Sequence, residues 1–295
     1  MTDQKPTFVR AIYGRADTPE QAKEQYHHIS DGAMNEMLAK WHAKQPERPY
    51  LIASPSTITT CPRVIYFKRE GKEETNPMGW GLKQRLMLGR ITEDLFAEQL
   101  KDEGMLLHHW KDGKDDPSQK FSMGEGLDKL EGTPDLLLKL GDKVAISDCK
   151  TSRSDSFGYV PLGDDIWDDW GWYKYRLQVT AYYMLCHANK ESLNQIALKI
   201  VNASAAKFKE ECPLLPEVCH LYSYALDNGV VHREMTWEPT QKDIDLVKKY
   251  TRRFNEAVKA TEMPDCECNE FDTKFCRMGV PIPGKKVCEE CCHAN

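Results

Sequence analysis

The chain has 295 residues, 40% hydrophobic and 29% charged, with 40 Lys plus Arg against 46 Asp plus Glu for a formal charge of −6. That length suits one large core with a small appended module. The acidic balance excludes a protein that coats nucleic acid by bulk charge, so any such contact must use a local groove or bound metal ions. No run approaches the ~20 apolar residues of a membrane helix. The opening MTDQKPTFVRAIYGRADTPEQ has no apolar leader core. The expected location is the cytoplasm, with no membrane partner. Six of the 11 cysteines fall between Cys266 and Cys292. Where thiols stay reduced, such a cluster is a metal or iron–sulfur site before it is a set of disulfides.

In chain order, the periodicity predicts a helix from Ser30 to about Lys44, with Met34, Met37, Leu38 and Trp41 on one face. Ser56 is placed to cap a helix over Thr57 to Arg69 that ends at Gly71. A longer helix is expected over Gly81 to Glu103, carrying Leu82, Leu86, Leu88, Leu95, Phe96 and Leu100. Residues 111–131 read as a charged, glycine-rich loop around one short strand. Two strands follow, Thr133 to Leu140 and Lys143 to Cys149, turned by Gly141-Asp142. A loop rich in Asp, Gly and Trp runs from Ser152 to about Trp172, then a helix from Tyr173 to about Ala188. Strands are expected near Ala197–Asn202, Cys219–Tyr224 and Val230–Thr236, and a last helix from about Thr240 to Glu262. The outline is a mixed sheet flanked by helices, an α/β (α+β) fold with a cysteine-rich C-terminal module. The divisions are an N-terminal helical extension over 1–53, a core over 54–262 and the tail over 263–295.

The densest chemical signal is GTPDLLLKLGDKVAISDCKTS, from Gly132 to Ser152. Residues two apart on a strand share a face, so Asp148 and Lys150 project together. The hairpin can bring Asp135 beside them. Two carboxylates at that range repel unless a cation neutralises them. Mg²⁺ or Mn²⁺ suits an oxygen-rich site, can activate water and can clamp the oxygens of an in-line displacement at phosphorus. Lys150 can then orient the attacking water or stabilise the charge that develops.

These residues resemble the PD-(D/E)xK nuclease superfamily, and the RecB-like branch within it, over roughly Ser54 to Cys276. The resemblance implies a restriction-endonuclease-like core and metal-dependent hydrolysis of DNA. Gln178 and Tyr182, in YRLQVTAYYML, are similar to the Gln-x-x-x-Tyr motif of that branch. At i, i+4 they share a helix face, and the motif implies that they organise the site or contact phosphate. Glu93, four residues after Gly89, stands where RecB-like nucleases often carry a metal-binding His and λ-exonuclease-type relatives a Glu. It is the implied third ligand, with Asp94 as the substitute and the Cys149 carbonyl as a further donor.

The stretch SPSTITTCPRVIYF resembles the opening of the same enzymes, in which the cysteine ligates a cluster. The resemblance makes Cys61 one ligand of a [4Fe–4S] cluster and Cys266, Cys268 and Cys276 the others. Their first spacing is Cys-x-Cys where the family has Cys-x-x-Cys, which leaves Cys288, Cys291 or Cys292 as alternates. Tetrahedral zinc can use the same sulfurs. Cys149, Cys186, Cys212 and Cys219 are assigned to the interior.

The implied function is a DNA exonuclease, acting on single strands or duplex ends in phage or bacterial DNA processing or recombination. It would work beside a recombination or helicase partner protein or as an oligomer. Lys150, Arg153, Lys174 and Arg176 form a local positive cluster, with Lys207 and Lys209 as weaker phosphate contacts. Trp167, Trp170 and Trp172 either stack bases or anchor their loop. A second reading keeps the fold and the cysteines but not the catalysis. It is a non-catalytic iron–sulfur or zinc DNA-binding or partner module on a decayed nuclease fold.

Overall fold

The computed structural model describes residues 51–72, 80–110, 120–152, 170–201, 212–225 and 230–265. The expected helix at Ser30–Lys44 lies outside them, as do Arg153, Trp167, Lys207, Lys209 and all six tail cysteines.

The first described helix, α1, spans Pro62–Arg69. It begins five residues later than the sequence suggests. Proline has no N–H to give, so Pro62 fits the first helical position and not an interior one. Ser56 caps nothing. Ser54–Thr60 instead form turns in which the Thr57 and Ile58 amides both donate to the Ser54 carbonyl, at 2.8 and 3.0 Å. At the other end Gly71 takes φ +69. There the Lys72 amide reaches the Phe67 carbonyl at 2.9 Å and the Gly71 amide the Lys68 carbonyl at 3.2 Å, a Schellman close.

Helix α2 covers Trp80–Asp102, close to expectation. Strand β1, Leu106–His109, follows; the sequence reading has no strand there. Next come β2 (Phe121–Met123), a 3₁₀ turn at Gly126–Asp128 and β3 (Leu130–Gly132). Strands β4 (Leu136–Leu140) and β5 (Lys143–Ser152) form the expected hairpin, with Gly141 at φ +64 in its turn. β4 starts three residues later than expected, since Pro134 cannot donate to a strand ladder.

Helix α3 spans Trp170–Ala188 and α4 Lys190–Val201. α4 corrects the strand expected at Ala197–Asn202. Leu193 and Ala197 are fully buried and Ile196 packs beside them, so the apolar spacing is helical despite the β-branched Ile and Val. Strands β6 (Val218–Ala225) and β7 (Val230–Trp237) precede α5 (Gln241–Lys259). Thr240 and Asp243 cap α5 reciprocally, each side chain accepting from the other's backbone amide.

The central sheet has five strands in the order β1-β4-β5-β6-β7. Only β5 and β6 run parallel; the other neighbours are antiparallel. The β5–β6 crossover contains α3 and α4, as a parallel connection requires. Helices cover both faces. Ile146 and Leu137 join Leu177, Val179, Leu185 and Phe254 in the larger cluster, the face of α3 and α5. Leu136, Leu138 and Ala145 join Phe96, Ala97 and Leu100 in the smaller one, the face of α2. This mixed α/β sheet between helices is the restriction-endonuclease-like arrangement anticipated above. Among the described residues no helix is long and apolar enough to cross a membrane.

Candidate active site

The β4–β5 ladder runs from Leu140↔Lys143 to Leu136↔Ser147. Continued by one step, that register sets Asp135 opposite Asp148. The backbone of Asp135 is fixed from the other side, where the Trp110 amide donates to its carbonyl at 3.0 Å. β6 accompanies β5 as far as Ser152↔Ala225. β5 therefore outruns β4 from Asp148 onward, leaving one edge of its backbone, including Cys149, without a described strand partner.

Asp148 is almost completely buried. Its Oδ2 lies 2.7 Å from Lys150 Nζ, and the Lys150 side chain is 24% exposed. Burial acts to depress the Lys150 ammonium, but the charges of Asp148 and Asp135 outweigh it and hold the pKa above the usual lysine value. The Asp135 carboxyl is pushed well above the usual carboxylate range, by burial first, then by the charge of Asp148, a hydrogen bond with it, and the charge of Glu93. One ammonium stands against three carboxylates here, so the repulsion on Asp135 is not fully balanced.

Glu93 lies on α2, and its Oε1 is 3.8 Å from His109 Nε2 on β1. Asp94 Oδ1 is 3.9 Å from the same nitrogen, but its side chain is 71% exposed against 26% for Glu93. Glu93, not Asp94, is the one whose charge reaches Asp135. The Cys149 thiol is pushed up by burial and then by Asp148 and Glu93. For a hard cation its backbone carbonyl oxygen, not the sulfur, is the fitting donor.

The chemistry of this donor set suits a hard divalent ion: carboxylate oxygens in excess of the one ammonium, beside an open strand edge. Among the described residues, no three His, Cys, Asp or Glu side chains already form a cage for an ion. Lys150 sits against the Asp148 oxygen such an ion would take.

The other expected residues divide. Gln178 is 8% exposed and Tyr182 6%, and Tyr182 packs in the larger apolar cluster. The aromatic ring that meets Lys150 belongs instead to Tyr175, with Nζ 5.3 Å from its centroid. Sequence reasoning missed Tyr175 and His109. Tyr175 was within reach, because 175, 178 and 182 follow the i, i+3, i+7 spacing of one helix face. For His109 the run LLHH offered no comparable signal.

Arg176 is not part of an open basic cluster. Its Nε and one terminal nitrogen fork onto Asp243 at 2.9 and 2.8 Å, and its guanidinium lies 5.4 Å over Trp237. Trp172 is 8% exposed and sits in the apolar core, which makes it an anchor. Arg63 donates to the Pro264 carbonyl at 2.8 Å.

A family model for the PD-(D/E)XK nuclease superfamily matches residues 10–294. The chain belongs to that superfamily. It is thereby placed among metal-dependent phosphodiesterases, which act on DNA and typically use Mg²⁺ or Mn²⁺. No curated protein matches it. Among solved structures, the crystal structure of SSO0001 is 17% identical, with 86% of this chain and 98% of that one covered at a TM-score of 0.45.

Proposed function

We propose that the protein is a deoxyribonuclease of the RecB-like branch, working from strand ends, with Asp135, Asp148 and Glu93 as its metal-binding carboxylates. The observation that carries this reading is the Asp148–Lys150 pair at 2.7 Å, with Asp135 in register beside it and its carboxyl pushed up by burial and by the charge of Asp148. Folding stability gives no reason to crowd acids in this way, since burying unbalanced charge is costly. A divalent ion bound there, one or two per site, supplies Lewis acidity at the phosphoryl oxygen and an acidified water. Asp135 and Asp148 would hold such an ion from the hairpin and Glu93 from α2, with the Cys149 carbonyl as a further donor at the open edge. With its Asp148 contact displaced, Lys150 would be free to turn a donor toward the attacking water and the scissile phosphate. Gln178 stands one turn beyond Tyr175 on α3 to hold this arrangement, and Tyr182 supports it from the core.

The tail closes an iron–sulfur site with Cys61. Two features support this. Cys61 is 5% exposed at the start of α1, and α1 is tied to the segment that leads into the tail. Arg63 holds the Pro264 carbonyl, two residues before Cys266. Arg69 donates to the carbonyls of Val258 and Ala260, and Arg253 returns the link to the Thr60 carbonyl at 3.2 Å. The proposed partners of Cys61 are Cys266, Cys268 and Cys276, with Cys288, Cys291 and Cys292 as alternates. Four thiolates drawn from both ends of the core would staple them.

The test is cleavage of end-labelled single- and double-stranded DNA with Mg²⁺ or Mn²⁺, run beside iron and sulfide analysis of anaerobic protein. The reading expects metal-dependent loss of label from ends and about four iron and four sulfide per chain. Stoichiometric zinc in colourless protein would replace the cluster, and intact DNA in every metal would overturn the nuclease.

A further inference from the structure

We infer that Tyr175 is a positioning residue for Lys150, its ring capping the ammonium and steering it between Asp148 and the reacting phosphate. The inference deepens the nuclease reading of this site and rests on it.

Lysine carries a point charge on a flexible four-carbon stem with large side-chain rotamer freedom. One carboxylate contact does not fix such a group, and the Asp148 contact is the one that a metal ion would displace. A second restraint is therefore needed, one that survives metal binding. Tyr175 meets that requirement. Its centroid is 5.3 Å from Nζ, inside the ~6 Å range over which an aromatic face attracts a cation. That attraction does not consume an N–H, so all three donors stay available for water and phosphate. The ring is itself braced: Trp172, one turn earlier on α3, meets it edge-on with centroids 5.9 Å apart. Trp172 is seated in the core. A chain of contacts thus runs from the apolar core through Trp172 and Tyr175 to the ammonium. Tyr175 and Gln178 are three apart on one helix, so α3 presents two groups to the same place.

The test compares Tyr175→Phe with Tyr175→Leu in the full chain. Tyr175→Phe keeps the aromatic face and should cleave DNA within about threefold of wild type. Tyr175→Leu keeps the apolar bulk but loses the face. It should lower kcat by about 10- to 30-fold with KM for DNA changed less than about twofold. A merely structural role would spare the leucine variant or impair both alike. A DNA-contacting role would raise KM. Either pattern overturns the inference. A readout free of activity comes from the lysine ammonium signals of ¹⁵N-lysine-labelled protein, with Lys150→Arg supplying the assignment. In wild type the Lys150 signal should be ring-shifted and slow to exchange. Tyr175→Phe should keep it so, and Tyr175→Leu should abolish both properties. A Lys150 signal indifferent to Tyr175→Leu would refute the cap even if the protein is a nuclease. A ring-shifted signal in a protein that cleaves nothing would refute the nuclease and leave the cap standing.

Discussion

Asp135 and Asp148 face one another across the first open step of the β4–β5 hairpin, their carboxyls in hydrogen-bond contact. After burial, the charge of Asp148 is the main electrostatic burden on Asp135. Asp148→Asn should therefore leave folding nearly intact, with a melting temperature within a few degrees of wild type, because repulsion is removed along with a charge. Cleavage should fall at least ~10³-fold, about 4 kcal/mol of transition-state stabilisation. Thermal melts and end-label release measured on one preparation check both halves.

The Arg176–Asp243 fork joins α3 to the cap of α5, and both side chains are nearly buried. Burial acts to raise the Asp243 carboxyl, but the hydrogen bonds from Arg176 and Thr240 outweigh it and leave it below the usual carboxylate range. A depressed folded-state pKa gives stability that is complete above the unfolded value of about 3.9 and is lost as pH falls through the folded value. Urea titrations from pH 6 to pH 2 should show that acid-side loss. In Asp243→Asn it should be smaller, and the variant should be about 2–4 kcal/mol less stable at neutral pH, having lost one partner of a buried pair and half a capping box.

Gly132 ends β3 where the chain passes beneath the Ser54–Thr60 turns. A Cβ there would stand 2.7 Å from Pro55 Cδ and 3.4 Å from Leu185 Cδ1. Gly132→Ala should cost about 1–3 kcal/mol through overpacking, read as a lower urea midpoint with an unchanged slope. An unaltered midpoint would mean that the Pro55 turn moves freely.

The hairpin and its acids were legible because strand alternation fixes which residues share a face, and Gly141-Asp142 fixes the register. The last helix is expected from about Thr240, but its capping by Thr240 and Asp243 comes only with the structure. Other elements depend on distant partners. β1 is four residues long and exists because β4 offers it an edge. α4 carries Ile and Val that favour strands locally, and it is helical because Leu193 and Ala197 must meet one core. Lys150 and Asp148 could be paired from spacing alone, whereas Tyr175 enters only when α3 is laid over the sheet. Arg176 reads as free charge in the sequence because its partner, Asp243, lies 67 residues away.

Cys61 tests the proposed tail. Cys61→Ser should lower both the melting temperature and the iron content, since one lost thiolate opens a cluster and unties α1 from the tail. The variant should also lose the brown absorbance of the anaerobic wild type. A stable Cys61→Ser protein with its full complement of iron would move the ligand elsewhere.

The most direct measurement is the rate at which wild type and Lys150→Ala, both folded by circular dichroism, degrade end-labelled DNA as Mg²⁺ or Mn²⁺ is titrated in. The account predicts a saturable, metal-dependent rate for wild type, abolished by EDTA and reduced at least ~10²-fold in Lys150→Ala. Equal rates for the two proteins would contradict it.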